Sequence, residues 1–354
     1  MRHRNIPIFI PHLGCPNQCV FCNQRSISGC HSFRLESVSE QIDRALETMR
    51  GDETVEIAFF GGSFTGIDRD LMTRLLDVAQ SYVNAGRVQS IRLSTRPDYI
   101  TNEILAILGR YSVRWIELGL QSMDDAVLRA SRRGHTVQEA LEACRAVKNA
   151  GFRLAGQMMI GLPASNGETE RMTAIRLRDV GVDAVRIYPT VVFYDTPLCE
   201  MAQSGSYTPL PLREAVERSA DVLEIFFAAH IPCIRLGLCA TEELTSPDTV
   251  YAGPNHPALG ELVMSECAYR EVAALLEREG LIGCEVTLRV PARRVSTVIG
   301  QHRENINRLL REKNTRVIRV SGDEHANEIT AVPIEPSHHY PHKEEDAYFV
   351  SEIT

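Results

Sequence analysis

The sequence predicts an α/β protein built on a parallel sheet, followed by a small α+β module. Two patterns carry this expectation. Segments of strand and helix character alternate six times within about 190 residues, and such alternation implies a parallel sheet with helices outside it. Beyond about residue 260 the composition shifts and basic residues gather, which marks a second unit. The chain of 354 residues is long enough for about two domains.

Ile6–Pro11 reads as a short apolar strand. Ser37–Met49 reads as a helix with Ser37 as N-cap and Glu40 three residues on, the pattern of a capping box. Val55–Phe60 is a strand closed by Gly61-Gly62, and Asp68–Val83 is a helix with Leu71, Leu75, Leu76 and Val78 on one apolar face. Val88–Ser94, Val113–Leu120, Phe152–Ile160 and Ala184–Tyr188 are strands. Asn102–Leu108, Thr136–Asn149 and Glu168–Asp179 are helices, the second ended by Gly151 in the C′ position. These elements make residues 1–190 the core. Residues 191–260 form an extension with an amphipathic helix over Leu212–Ala229 and a loop-rich stretch from Thr245 to Leu259. Residues 261–332 form the terminal module: helices over Glu261–Glu279, Arg294–Ile299 and Glu304–Glu312, and strands over Glu285–Val290 and Thr315–Val320. Residues 333–354 read as a tail, and its His338-His339-Tyr340-Pro341-His342 run as a solvated segment rather than a metal site.

Composition narrows the class. Hydrophobic residues make up 44%, enough for an ordinary core, and no apolar run is long enough to span a membrane. The basic start, Met1 to Asn5, leads only into Ile6–Ile10, too short for a signal-peptide core. Ten cysteines, scattered apart from one triplet, point to a reducing, cytoplasmic compartment. A net charge of −8 argues against nucleic-acid binding by the whole surface but leaves room for a local basic patch.

Functional residues in such a fold gather at the C-terminal strand ends. The first strand leads into Gly14-Cys15-Pro16-Asn17-Gln18-Cys19-Val20-Phe21-Cys22, a Cys-x3-Cys-x2-Cys spacing. Three thiolates leave one iron of a 4Fe–4S cluster open to a further ligand. Structural zinc wants four ligands, and the nearest extra candidates, Cys30, His12 and His31, stand in no familiar zinc spacing. The second strand ends in Gly61-Gly62-Ser63, where glycine permits close backbone approach. Arg96, Glu117, Gln121 and Ser94 are polar residues at or near strand ends, either ligand contacts or partners of one another. Met158, Met159 and Ile160 read as core, with Gly161 just after them. Arg186 and Tyr188 end the sixth strand and either face substrate or form a salt bridge and a core aromatic. Cys199, Cys233, Cys239, Cys267 and Cys284 are isolated and read as small buried hydrophobes.

The cysteine triplet, with Phe21 before its third member, resembles the signature of the radical SAM enzymes. That resemblance implies a partial (β/α)6 barrel and a 4Fe–4S cluster on Cys15, Cys19 and Cys22. It also implies S-adenosylmethionine (SAM) chelated at the open iron and split by one electron to a 5′-deoxyadenosyl radical. It further implies cofactor contacts at Phe21, Gly61, Gly62, Ser63, Ser94, Gln121 and Gly161, and an electron donor such as flavodoxin or ferredoxin. Ser63 departs from the acidic residue usual at the end of the glycine turn. Asp195-Thr196-Pro197-Leu198, Gly205 to Leu210, Arg235-Leu236-Gly237-Leu238, Thr241-Glu242-Glu243-Leu244 and Ala252 to Pro257 are similar to the catalytic subunit of Elongator. So are Ser94 to Asp98 and Glu117 to Ser122, and the likeness covers roughly residues 6–270. It implies tRNA modification, without the acetyltransferase domain of that subunit. Val290 to Leu309 resembles a KH domain with its strand–helix–loop–helix order. Gly300 holds the first glycine place of the KH loop and Arg303 stands in the second. Arg293, Arg294, Gly300 and Arg303 are thereby expected to touch RNA, in a segment (285–320) carrying nine basic residues against three acids. Two other outcomes remain: a radical SAM enzyme acting on a small molecule such as a tetrapyrrole, and an RNA-binding iron–sulfur protein without enzymatic activity.

Overall fold

The computed structural model describes residues 2–10, 14–15, 19–23, 33–49, 53–238, 246 and 248–334. Cys30, His12, His31, Cys239, Thr241–Leu244 and the histidine-containing segment 338–342 lie outside them. The chain divides into two compact units, Met1–Glu266 and Cys267–Thr354.

The first unit is built on one parallel sheet. Its strands are β1 (Arg2–Ile10), β2 (Glu53–Gly61), β3 (Ser90–Thr95), β4 (Val113–Gln121), β5 (Arg153–Ile160), β6 (Ala184–Pro189) and β8 (Cys233–Leu236), in that spatial order. The sheet curls into a partial barrel, as expected from the sequence. The helices α1 (Val38–Glu47), α2 (Arg69–Asn84), α3 (Asn102–Leu108), α4 (Asp125–Ala130), α5 (Val137–Asn149) and α6 (Gly167–Asp179) fall between the first six strands. One sheet face is apolar: Ile6, Ile8 and Ile10, Ile57 and Phe59, Ile91 and Leu93, Ile116 and Leu118, Leu154 and Met158, Val185 and Ile187 are all buried. Helices seal it with Leu75, Leu76 and Ala79 of α2, Ala143 and Val147 of α5, and Leu177 of α6. Burying such apolar area contributes about 25 cal/mol per Å². Gly156 of β5 is small for this reason, since a Cβ there would meet Leu177 and Val182 at 3.2 Å.

Local signals explain most helix ends. Asp68 and Thr101 cap α2 and α3 through their side chains, and Thr136 with Glu139 forms a capping box on α5. Gly151, at φ +83°, follows the C-cap of α5 as expected. The capping box expected at Ser37 does not form. A 3₁₀ turn, Leu35–Ser37, already places Ser37 in helical geometry, so its hydroxyl bonds Arg34 O instead, and Glu40 pairs with Arg44. The sequence reading also passed over β8, the helix α4, and the short antiparallel pair β7 (Val192–Phe193) and β9 (Val250–Ala252). Helices α7 (Pro197–Gln203) and α8 (Leu212–Ala228) complete the extension.

Helix α9 (Leu259–Arg278) contains the division between the units. In the second unit β10 (Glu285–Pro291) is central, parallel to β11 (Arg316–Asp323) and antiparallel to β12 (Thr330–Pro333). Helices α10 (Val295–Ile299) and α11 (Glu304–Lys313) lie between β10 and β11 in sequence. Its core joins Tyr269, Val272 and Leu276 to Val286, Leu288, Val290, Val298, Ile306 and Leu309, with Ile299 packed against it. Replacing Ile306 by alanine is expected to cost about 2–4 kcal/mol, read as a lowered midpoint for this unit in denaturant unfolding of the full chain. An unchanged midpoint would remove Ile306 from the core.

Candidate active site

The glycine turn after β2 seats the cysteine loop. Gly62 N–H donates to Ile10 O at 2.9 Å, tying the ends of β1 and β2 together. Gly14 lies so close to the turn that a Cβ would stand 2.3 Å from Ser63 O and 2.7 Å from the Gly66 backbone; reciprocally, one on Gly66 would stand 2.5 Å from Gly14 O. Gly14 also takes φ +72°. No larger residue fits either place. The contact brings Cys15 Sγ to 3.4 Å from the hydroxyl of Ser63, which is buried. Gly61 takes φ +109° with its Cα against the Ile10 backbone.

Cys19 is buried beside two guanidiniums. Arg133 Nη1 donates to Cys19 Sγ at 3.1 Å, and its Nη2 donates to Gly119 O. Arg96 Nη1 lies 4.0 Å from the same sulfur, while the rest of that guanidinium is held by Asp98 at 2.9 Å and by Arg133 O. Burial opposes the Arg96 charge, but Asp98 and the sulfurs of Cys19 and Cys15 outweigh it and push its pKa up. His135, on the same loop, is buried, and burial with Arg133 alongside lowers its imidazole to about 4. Val20 is clamped from two directions: its N–H donates to Ser131 O at 3.2 Å, and its C=O accepts from Leu198 N at 2.9 Å. Its side chain packs with Val192, Leu198, Cys199 and Tyr207, and Phe21 lies against the same cluster.

The other expected residues fall at neighbouring strand ends. Gln121 closes β4 on a register shift with β5 and holds φ +68°, a left-handed conformation uncommon for a side-chain-bearing residue. Gln157 Nε2 donates to Gln121 Oε1 at 3.3 Å. Ser94 pairs in register with Glu117. Gly161, at φ +80°, donates through N–H to Glu170 Oε1 at 2.7 Å and accepts from the Tyr207 hydroxyl at 2.7 Å. Leu210 covers its Cα.

Along the concave sheet face a chain of charges crosses the strands. His3 Nε2 meets Glu56 Oε2 at 2.7 Å, and Ser90 Oγ donates to Glu56 Oε1 at 2.5 Å. Arg92 bridges Glu56 at 3.1 Å and Glu117 at 2.8 Å. Arg186 joins Glu117 at 2.6 Å and donates to the Tyr188 hydroxyl at 3.2 Å, with its guanidinium 5.3 Å from the centre of the Phe60 ring. Arg186 therefore has the salt bridge that was one of its two expected roles.

The cysteine donor set fits an iron–sulfur cluster in chemistry: three thiols, one of them, Cys19, beside the guanidiniums of Arg133 and Arg96. Among the described residues no three His, Cys, Asp or Glu side chains converge to hold a metal ion as they stand. The three cysteines are thus brought to the strand ends but not closed on one point, and metal binding commonly completes such ordering. Gly300, Arg293, Arg294 and Arg303 lie in the second unit. Sequence reasoning missed Gly14 and Gly66 as a contact pair, Arg133, Glu170 and Tyr207. The Arg132-Arg133-Gly134 string was the one visible signal among them.

Comparison with known proteins follows the same outline. Residues 9–177 match the radical SAM superfamily model, and residues 182–269 match the radical SAM C-terminal domain. The chain belongs to the radical SAM superfamily. Enzymes of this superfamily use a 4Fe–4S cluster and SAM. The uncharacterized protein MJ0486 of Methanocaldococcus jannaschii is 32% identical over 231 residues, covering 62% of this chain and 70% of that protein. The tRNA uridine(34) acetyltransferase of the same organism is 25% identical over 57% of this chain, and Elongator complex protein 3 of Mus musculus is 28% identical over 60%. The chain spans only 45% of the length of each of these two. The solved structure of the Methanocaldococcus infernus Elp3 with an N-terminal deletion shares the radical SAM fold at a TM-score of 0.59 and 20% identity, over 79% of this chain and 63% of that one.

Burial alone would raise the Glu56 carboxyl, but Ser90, Arg92 and His3 outweigh it and hold its pKa below 4.5. A carboxyl lowered by folding stabilises the protein above its unfolded value and loses that contribution as pH falls through its folded value. Glu56→Gln is expected to destabilise by about 3–5 kcal/mol at neutral pH. The gap to the wild type should narrow as the pH falls below 4.5. Urea unfolding of both proteins across that range checks it; a gap independent of pH would contradict the role assigned to the charge.

Proposed function

We propose that this radical SAM enzyme modifies RNA, with tRNA as its substrate. The observation that carries the reading is the pairing of two features in one chain. The sheet and extension align with a protein named tRNA uridine(34) acetyltransferase, and a separate unit carries a strand, helix, loop and helix in the order that a KH domain would have. Cys15, Cys19 and Cys22 would hold the cluster. Gly61, Gly62 and Ser63 would meet SAM, together with Phe21, Ser94, Gln121 and Gly161. When bound, cluster and SAM supply reductive cleavage of the sulfonium to a carbon radical. The chain's own part is placement: the Gly14–Gly66 contact fixes the cysteine loop, Arg133 and Arg96 hold Cys19 in position, and Arg186 with Tyr188 faces the substrate side of the sheet. A small reductant such as flavodoxin or ferredoxin would deliver the electron, in the cytoplasm. No described helix is long and apolar enough to cross a membrane.

The second unit supports the RNA reading in its loop. Gly300 takes φ +76°, and His302 and Arg303 both take left-handed conformations, at φ 51° and 61°. The place of a second KH glycine thus keeps a glycine-type backbone while carrying arginine. Such a conformation costs a non-glycine residue about 1–2 kcal/mol, and strained residues of this kind gather at ligand contacts. Arg293 and Arg303 are exposed. Arg294 is bound bidentately to Glu271, at 3.1 and 2.5 Å, and is the weaker candidate for a phosphate.

Anaerobic reconstitution should load about four irons and yield 5′-deoxyadenosine from SAM on reduction. Cys15→Ala, Cys19→Ala and Cys22→Ala should each abolish that product and lower iron content. Full activity in Cys19→Ala would refute the ligand assignment. Mass spectrometry of bulk tRNA from a deletion strain should then show a missing modified nucleoside, and an unchanged profile would favour a small-molecule substrate. Replacing Arg293 and Arg303 together by alanine should weaken tRNA binding and reduce the slope of log affinity against log salt by about 2. Equal slopes would show that the loop face is only solvated.

A further inference from the structure

The last two strands of the sheet carry a cation that the concave charge chain does not neutralise. β6 and β8 pair in parallel with Arg186 opposite Arg235, so the two guanidiniums leave the same face. Glu56, Arg92, Glu117 and Arg186 alternate in sign and cancel. Arg235 donates through Nε to Gly237 O at 3.1 Å, and no carboxylate pairs with it among the described residues. It is half-buried. A surplus cation on a partly enclosed surface, away from bulk water, focuses attraction on an anion. The two free nitrogens of its fork suit the paired oxygens of a phosphate. Tyr188 stands in the field of both guanidiniums. Its oxygen accepts from Arg186 at 3.2 Å, which leaves the phenolic proton to donate elsewhere. The position is also away from the cofactor elements: the cysteine loop and glycine turn follow β1 and β2, at the opposite edge of the strand order.

We propose that Arg235 and the Tyr188 hydroxyl form an anion subsite on the concave face that takes a phosphate group of the substrate. The subsite rests on the RNA reading only in identifying that phosphate as part of the target nucleotide's backbone; a free small molecule bearing a phosphate would use the same chemistry.

The test uses anaerobically reconstituted full-length protein, wild type, Arg235→Ala and Arg235→Lys. The probes are uridine, uridine 5′-monophosphate and an anticodon stem–loop RNA. Wild type should bind the monophosphate about tenfold or more tightly than the nucleoside, as charge-assisted hydrogen bonds allow. Arg235→Ala should erase that preference. Arg235→Lys, which keeps the charge and loses the fork, should retain part of it and serves if the alanine variant fails to fold. Equal affinity for the two probes in wild type, or an undiminished preference in both variants, would overturn the subsite. Joint loss of the monophosphate preference and of stem–loop affinity supports an RNA phosphodiester as the source. Loss of the preference with stem–loop affinity intact keeps the subsite, assigns it to a small phosphorylated substrate and counts against the RNA reading.

Discussion

Charge alternation across the sheet is the constraint on which this molecule rests. The helices seal one face with aliphatic side chains, and the curl of the strands encloses the other. Glu56, Arg92 and Glu117 have side chains at most 5% exposed. Two charges removed from water are tolerated only with close partners, and here Glu117 is shared between Arg92 and Arg186 while Glu56 is shared between Arg92, Ser90 and His3. The order of signs therefore fixes the side chains as much as their packing does. Arg186 comes at the end of that order, held by Glu117, and it holds Tyr188 in turn. The polar lining of the concave face is a single connected object, so a change at Glu56 reaches Arg186 and Tyr188 through Arg92 and Glu117.

Backbone proximity does for the cysteine loop what charge does for the sheet. Gly14 and Gly66 approach to distances that exclude any side chain. The loop consequently has a fixed starting point. Two arginines then position Cys19. The cofactor elements follow β1 and β2, while the surplus cation of Arg235 lies on β8. The curled sheet sets these ends around one concave surface.

Much of this was legible in the residues. Six strands and their helices announce themselves because a sheet buried under helices demands apolar strands, and helices carry caps such as Thr136 and stops such as Gly151. The cysteine spacing and the Gly61-Gly62 turn are local in sequence and were visible for that reason. What escaped was of another kind. β8 has four residues, one of them an arginine facing inward, and offers neither length nor alternation to notice. The Ser37 pattern matched a capping box in residue type but not in conformation, because the preceding turn had already begun the helix. Arg92 and Glu117 lie 25 residues apart, and Glu117 and Arg186 lie 69 apart. No window along the chain relates them. Arg133 reaches Cys19 across 114 residues.

The double clamp on Val20 has a consequence for how the molecule assembles. One of its backbone partners, Ser131, arrives more than a hundred residues after it, and the other, Leu198, nearly seventy residues later still. The register of the stretch between the second and third cysteines is therefore completed only when the extension closes behind the sixth strand. The extension thus latches the cysteine loop to the barrel.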